Sequence, residues 1–588
     1  HYDGLNLNIF AQGQELLPDL GYTHNSIYRY FSLSTMGHNT VVADSKNMSA
    51  GGLAKDGGQV RAYVPDGGMF QAMRASYDGA YASTEQYNRE PWFVPFPDGD
   101  GSAGYVLDLF RVSGGNRHEY TFQGDANRDA YFETELALTE YGGYLLPPGT
   151  NVVEPINNSD SGSAEGHYPG YIYVREVEQA QLLGDQFSLT LVTEEDGVPG
   201  AKMNITGLLD DGANELYLGR SPSLRSIRLH GSSMDNNDEA VKFDMPKLVL
   251  RRDGTDLDST FVTVFEPYAA DERPRIEAID RLELDEGPEG AVAVRVIYGN
   301  TTDLLISNPY HPESPVVVDD LIMTGEMGMV RLIDGRAEEM SLVGGTLLQK
   351  GEQQLLGSGK VTGMIEDAKR AAAGDEVNAF VTQANVPQEA VGRYMIITHP
   401  DGSTSGYEIG DVVQTDGRTL IVLSEHDPDM TFDSDRSQQV YFPHRSWTGD
   451  HVFSIALANH AQNMNGEDPN IGKPTGTVTG AVYDPDGTPV KGVQVRLTGN
   501  TQLFTWTDEN GQFVLSGIPV GKQRVTVTYP SYVTAVSDPF EAAADSTITV
   551  FVHLKERQPP RIISELPFAV PAGEMLEATS SVSGDIYA

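Results

Sequence analysis

The sequence contains no cysteine. Disulfides, thiolate metal sites and cysteine nucleophiles are therefore excluded, while the compartment stays open. No run approaches 18 consecutive apolar residues, so no transmembrane helix is encoded. Helical periodicity is also scarce, and its clearest piece, Met364–Ala373, predicts one short helix. Positive charge is in short supply. Lys and Arg total 40 against 84 Asp and Glu, a formal net charge of −44. A field of that sign repels nucleic-acid phosphates and anionic lipid headgroups, so neither is expected as a partner. The first residue is His1 rather than Met, no leader pattern follows it, and Ser583–Ala588 reads as a cut end. The sequence is thus expected to be the downstream part of a longer protein, and the missing leader says nothing about export.

What is present is glycine (62), proline (33), and 39 % hydrophobic residues with 27 Tyr and 21 Phe. That is ample for buried cores and unlike a disordered acidic chain. At about 150 residues per domain, 588 residues suggest roughly four domains. Short alternating segments such as Tyr105–Val112, Gln186–Val192 and Lys247–Arg251 are separated by Gly, Asp, Asn and Pro. They predict a mainly β chain of antiparallel sheets packed as sandwiches. Gly4–Gln14 reads as either a helix end or a strand. The expected organisation is a large antiparallel β-sandwich at 1–345, a smaller β domain at 346–462, a linker at 463–474, a compact unit at 475–555, and a tail at 556–588 that starts another module.

The unit at 475–555 carries Asp486-Gly487 and Asn510-Gly511, both strong hairpin-turn signals. With Gly476–Leu497, Thr507–Phe513 and Gly517–Gly521, it resembles the carboxypeptidase regulatory-like domain. That resemblance implies a seven-stranded Greek-key sandwich acting as a spacer or surface module.

The chemistry-bearing segment is the first 45 residues. They hold His1-Tyr2-Asp3, Pro18–Tyr22, and Ser34–Asp44 with His38-Asn39-Thr40 at its centre. Two histidines and a carboxylate can form a zinc site, although by spacing alone hydrogen-bonded or surface histidines are the default. The combined wording, with Asp108–Tyr120 and Phe122–Gly124 downstream, resembles the C-terminal part of the heparinase II/III-like polysaccharide lyases. The resemblance is strongest over 1–125 and diffuse to about 460. It implies that a toroid of paired helices precedes a two-layer β-sandwich, and that His1 matches the second histidine of the family's His-x-His-x-Asp motif. By resemblance, His1, Asp19 and His38 match the ligands of a structural Zn²⁺, while Asn39 orients the loop.

The reaction implied is β-elimination on a uronic-acid-containing polysaccharide such as alginate or a heparan-type glycosaminoglycan. The C6 carboxylate must be neutralised, the C5 proton removed and the departing O4 protonated. Tyr28 or Tyr30 stands where some members place a catalytic tyrosine, and nothing in the spacing chooses between them. Arg117, His118 and Trp92 are candidate substrate contacts. Against these stand an ion pair for Arg117, a turn role for His118 and a core position for Trp92. The expected location is secreted, periplasmic or on a bacterial cell surface. The alternative is a non-catalytic carbohydrate-binding or scaffold protein with a lyase-like sandwich. The −44 charge opposes approach of a polyanion unless salt or a basic patch elsewhere offsets it.

Overall fold

Alternation dictates the backbone. In strand Gln186–Glu195, Phe187, Leu189 and Leu191 are buried while Gln186 and Ser188 are exposed, the period of two that a sheet requires. The computed structural model describes residues 2–21, 23, 26–49, 57–97, 101, 103–154, 163–164, 168–210, 214–230, 237–415, 417–424, 426–433, 436–462, 464, 475–498, 503–529, 532–533, 535–544 and 546–556. Among the described residues, strand occupies 55 % and helix 5 %. The chain divides into two units, His1–Gly466 and Glu467–Ala588.

In the first unit, a six-stranded sheet runs in the order Thr139–Tyr144, Arg175–Leu182, Asn214–Pro222, Asp244–Asp253, Arg117–Gln123 and Val41–Ala43. It faces an eight-stranded sheet whose central strands are Gln86–Pro95, Gly104–Ser113, Asp258–Ala269 and Val198–Leu208. Phe110, Tyr120, Phe122, Phe261 and Phe265 fill the space between them. A second six-stranded sheet, with Val292–Tyr298 and Met327–Ile333, covers the other face of the eight-stranded sheet over Trp92, Leu107 and Val264. The eight-stranded sheet is thus a middle layer whose central strands are buried on both faces. Several of its charged residues are buried in ion pairs. Arg89 grips Asp108, which also accepts from the Tyr120 hydroxyl. Arg74 bridges Glu90 and Glu326, and Lys360 donates to Glu326 at 2.6 Å.

Strand Leu347–Lys350 pairs with Leu321–Thr324, and Ala458–Gln462 pairs with Arg336–Val343. Between these pairings lies a seven-stranded sheet around Phe380, Ile397, Ile421, Trp447 and Phe453. The helix expected over Met364–Ala373 is absent. Lys360–Ile365 and Asp367–Lys369 are strands, and Ala371–Ala373 is a single 3₁₀ turn. Local helix preference yields here to ladder pairing with His451–Ala456 and Ala379–Thr382. Gly4–Gln14 contributes strand Ile9–Ala11, which pairs with Gln14–Leu17 as a hairpin.

In the second unit, Val478, Val482, Val495, Phe513, Leu515 and Val527 form one core. Both turns read from the sequence are built alike. Asp484 Oδ1 accepts the Asp486 and Thr488 N–H groups, and Asp508 Oδ1 accepts those of Asn510 and Gln512. Gly487 (φ +82°) and Gly511 (φ +69°) supply the left-handed step.

Candidate functional site

The segment Ser34–Asp44 is fixed residue by residue. Thr35–Gly37 forms a 3₁₀ turn, and Gly37 is obligatory there because a Cβ would lie 2.2 Å from the Phe31 carbonyl oxygen. Asn39 ties four pieces of chain together. Its Nδ2 donates to the Leu7 and Pro18 carbonyls at 3.0 and 2.9 Å, its Oδ1 accepts the Gln123 N–H, and its own N–H reaches Asn6 Oδ1. Thr40 Oγ1 bonds to Gly4 O and to the Tyr87 hydroxyl. Asp44 Oδ1 caps the Asn116 and Arg117 N–H groups. The motif is therefore a clamp joining the N-terminal loop, the hairpin and strand Arg117–Gln123.

This clamp holds His38 with its imidazole 0 % exposed, Nδ1 lying 3.5 Å from Asp19 Oδ2. Asp19 Oδ1 accepts the Gly21 N–H at 2.8 Å, and Oδ2 accepts from Asn6 Nδ2 at 3.2 Å. Burial alone would raise the Asp19 carboxyl. The His38 imidazole, the Gly21 N–H and the Arg228 guanidinium outweigh it and hold the group below the usual carboxylate range. Among the described residues neither ring nitrogen of His38 has a hydrogen-bond partner. A buried polar atom left unpaired costs about 1–3 kcal/mol, and coordination by a metal with nitrogen and oxygen ligands would remove that cost. Asp19 and His38 thus fit a zinc site in chemistry and placement. Among the described residues they stand as a pair, with no group of three metal-ligating side chains. His1, the expected third ligand, lies outside the described residues. Next to His38, Lys247 is fully buried and donates to His38 O and Gln123 Oε1 at 3.4 and 3.3 Å. Burial pushes its ammonium well below the ordinary lysine range.

The two tyrosine candidates differ sharply. Tyr30 is 42 % exposed. Tyr28 is buried edge-on against Tyr173 and accepts a 2.7 Å hydrogen bond from Arg175 Nη2. Burial raises its phenol and Arg175 draws it back, leaving the group above its usual value and protonated at neutral pH. Arg175 was invisible from the sequence. It lies 147 positions from Tyr28, and no local pattern marks it.

The other candidates sit in structural roles. Trp92 is 0 % exposed, stacked on Phe70 with its indole N–H donating to Glu90 Oε1. It presents no face to a sugar, because the second six-stranded sheet covers it. His118 is buried between Ser259 Oγ (2.9 Å) and Gly114 O (2.7 Å), and burial lowers its imidazole. Both ring nitrogens are therefore engaged in holding a turn. Arg117 makes a bidentate pair with Asp253 at 2.6 and 3.0 Å, so its fork is occupied.

The carboxypeptidase regulatory-like domain family matches residues 477–555. No curated protein sequence matches the chain. Among solved structures, a mutant of the heparan sulfate lyase HepC from Pedobacter heparinus overlaps 52 % of this chain and 36 % of its own length, at 13 % identity and TM-score 0.31. A heparinase III structure gives 11 %, 0.29 and the same coverage. A chain of a type II cohesin–X-dockerin complex from Acetivibrio cellulolyticus covers 14 % of this chain at 22 % identity and TM-score 0.13. The chain spans about 36 % of the length of the lyase structures it overlaps.

Proposed function

We propose that the chain is the β-rich part of a polysaccharide lyase that cleaves a uronic-acid-containing polysaccharide by β-elimination outside the cytoplasm. The observation that carries this reading is His38, a fully buried imidazole whose two nitrogens have no hydrogen-bond partner among the described residues and whose Nδ1 faces a carboxylate held ionised. It sits at the centre of the motif that resembles the heparinase II/III-like lyases. His1, Asp19 and His38 would hold the zinc, and its contribution when bound is to pin the loops that carry the neighbouring side chains.

In the elimination, the C5–H electron pair forms the C4–C5 double bond as the C4–O4 bond breaks. The C5 proton goes to a base and O4 takes a proton from an acid. Tyr28 suits the second role, because a phenol kept protonated is a donor and Arg175 would stabilise the phenolate left behind. The acidic polysaccharide classes are those named above.

The test is to give the intact protein alginate, heparan-type and related polymers and to follow the ultraviolet band of unsaturated uronates. Signal on at least one polymer, with kcat reduced about 100-fold or more by Tyr28→Phe, supports the reading; silence across the panel contradicts it. A second reading, a non-catalytic carbohydrate-binding scaffold, draws on the burial of Trp92 and His118 and predicts retention of polymer without turnover.

A further inference from the structure

One face of the eight-stranded sheet carries Arg89 and Asp108 in its middle and changes character toward its edge. Register sets Tyr63 opposite Met73 and Gln71 opposite Phe93. Alternation sends these four side chains to one face and Ala62, Ala72 and Trp92 to the buried other. The hairpin strand Ile9–Ala11 closes one side, burying Ile9 and turning Phe10 outward. The result is a groove of about 370 Å³, within the size range of small-ligand sites. Phe10 is 67 % exposed and Tyr63 43 %, with Met73 exposed beside them. Large apolar side chains left together in water mark an interaction surface. The Tyr63 ring is fixed edge-to-face on Tyr394, centroids 4.7 Å apart, so it is a preset platform.

The groove's charge sets it apart. None of its thirteen lining residues is charged, on a chain of net −44. The larger cavity of about 630 Å³ is lined by Glu133, Glu135, Glu266 and Glu277. At the rim of the uncharged groove stand two exposed amides. Asn8 Oδ1 accepts from Asn6 Nδ2 at 2.6 Å and leaves its own Nδ2 to donate. The Gln71 amide makes no hydrogen bond among the described residues.

We propose that this groove binds neutral pyranose units of a polysaccharide. Flat aromatic faces pack against the C–H faces of a pyranose ring, and the Asn8 and Gln71 amides reach ring hydroxyls from the side. No cation is present to select a carboxylate or sulfate. A second copy of the chain would bring its own −44 charge to a surface with nothing to offset it, and an anionic membrane is repelled for the same reason. Binding here involves no bond cleavage, so it stands or falls separately from the elimination reaction.

The experiment titrates the full chain by calorimetry with cellohexaose, xylohexaose and N-acetylchitohexaose, and with polygalacturonate as the charged comparison. The expected result is saturable one-site binding of at least one neutral oligosaccharide, weakened about tenfold by Phe10→Ala and by Tyr63→Ala, with thermal midpoint and metal content unchanged. Both side chains are exposed, so neither variant threatens the fold. Failure of all three neutral sugars to bind overturns the proposal. So does binding that survives both substitutions, or sedimentation showing a dimer that Phe10→Asp dissociates.

Discussion

Acid should loosen the seven-stranded sheet at a pH set by two histidines. His399 and His451 are buried, Nδ1 to Nδ1 at 2.8 Å. Their outer nitrogens meet Ser405 Oγ at 2.8 Å and Ser437 Oγ at 2.5 Å. Burial, and for His399 the facing His451, brings each imidazole from 6.5 down to about 4. A base held below its ordinary value binds fewer protons folded than unfolded. The stability it confers is therefore complete above pH 6.5 and is lost as pH falls toward and through 4. At pH 4.5 the loss is about 2.5 kcal/mol per ring, or about 5 kcal/mol if the rings titrated independently. They face each other, so the pair titrates jointly and the sum is a ceiling. Trp447 reports the event, its indole stacked on His399 with centroids 4.6 Å apart. Urea unfolding followed by Trp447 fluorescence should show a midpoint much lower at pH 4.5 than at 7.5. The double variant His399→Gln/His451→Gln should lose the part of that pH dependence these two rings supply, while His460, also lowered to about 4 by burial, keeps its own. An unchanged midpoint between the two pH values, or a double variant as acid-sensitive as the parent, would refute the reasoning.

Other consequences concern the clamp and the buried ions. Asn39→Ala removes three side-chain hydrogen bonds and strands the Gln123 N–H inside the sandwich, so it should cost about 3 kcal/mol in chemical unfolding. Glu326→Ala leaves the Arg74 guanidinium buried with only the 3.3 Å contact to Glu90, and about 3–5 kcal/mol should be lost, read as a lower thermal midpoint.

Local chemistry was legible from the sequence wherever one residue dictates one conformation. Asp486-Gly487 and Asn510-Gly511 form the turns expected of them, because only glycine enters the left-handed step freely. The mainly β reading holds because alternation is a period-two signal independent of tertiary context. Failures occur where a third layer intervenes. Trp92 was a candidate sugar contact with a core position as the alternative, and the alternative is what the fold builds. The central strands of the eight-stranded sheet are covered on both faces, and Trp92 lies under the second six-stranded sheet. Alternation says which residues share a face, not whether that face is wet. The helix over Met364–Ala373 failed for a related reason, since its strand partner His451–Ala456 lies far along the chain. At the candidate site, Asp19 and His38 were found together by wording and Arg175 was not, because its link to Tyr28 exists only in three dimensions.

The account turns on what His38 binds. Zinc content of the purified intact protein, measured by mass spectrometry after exhaustive dialysis, tests it directly. One zinc per chain, lost in His38→Ala and reduced in Asp19→Asn while the far-ultraviolet spectrum stays that of a β protein, is the predicted result. A metal-free protein with an unaltered fold, or a His38→Ala variant retaining its full zinc, would contradict it.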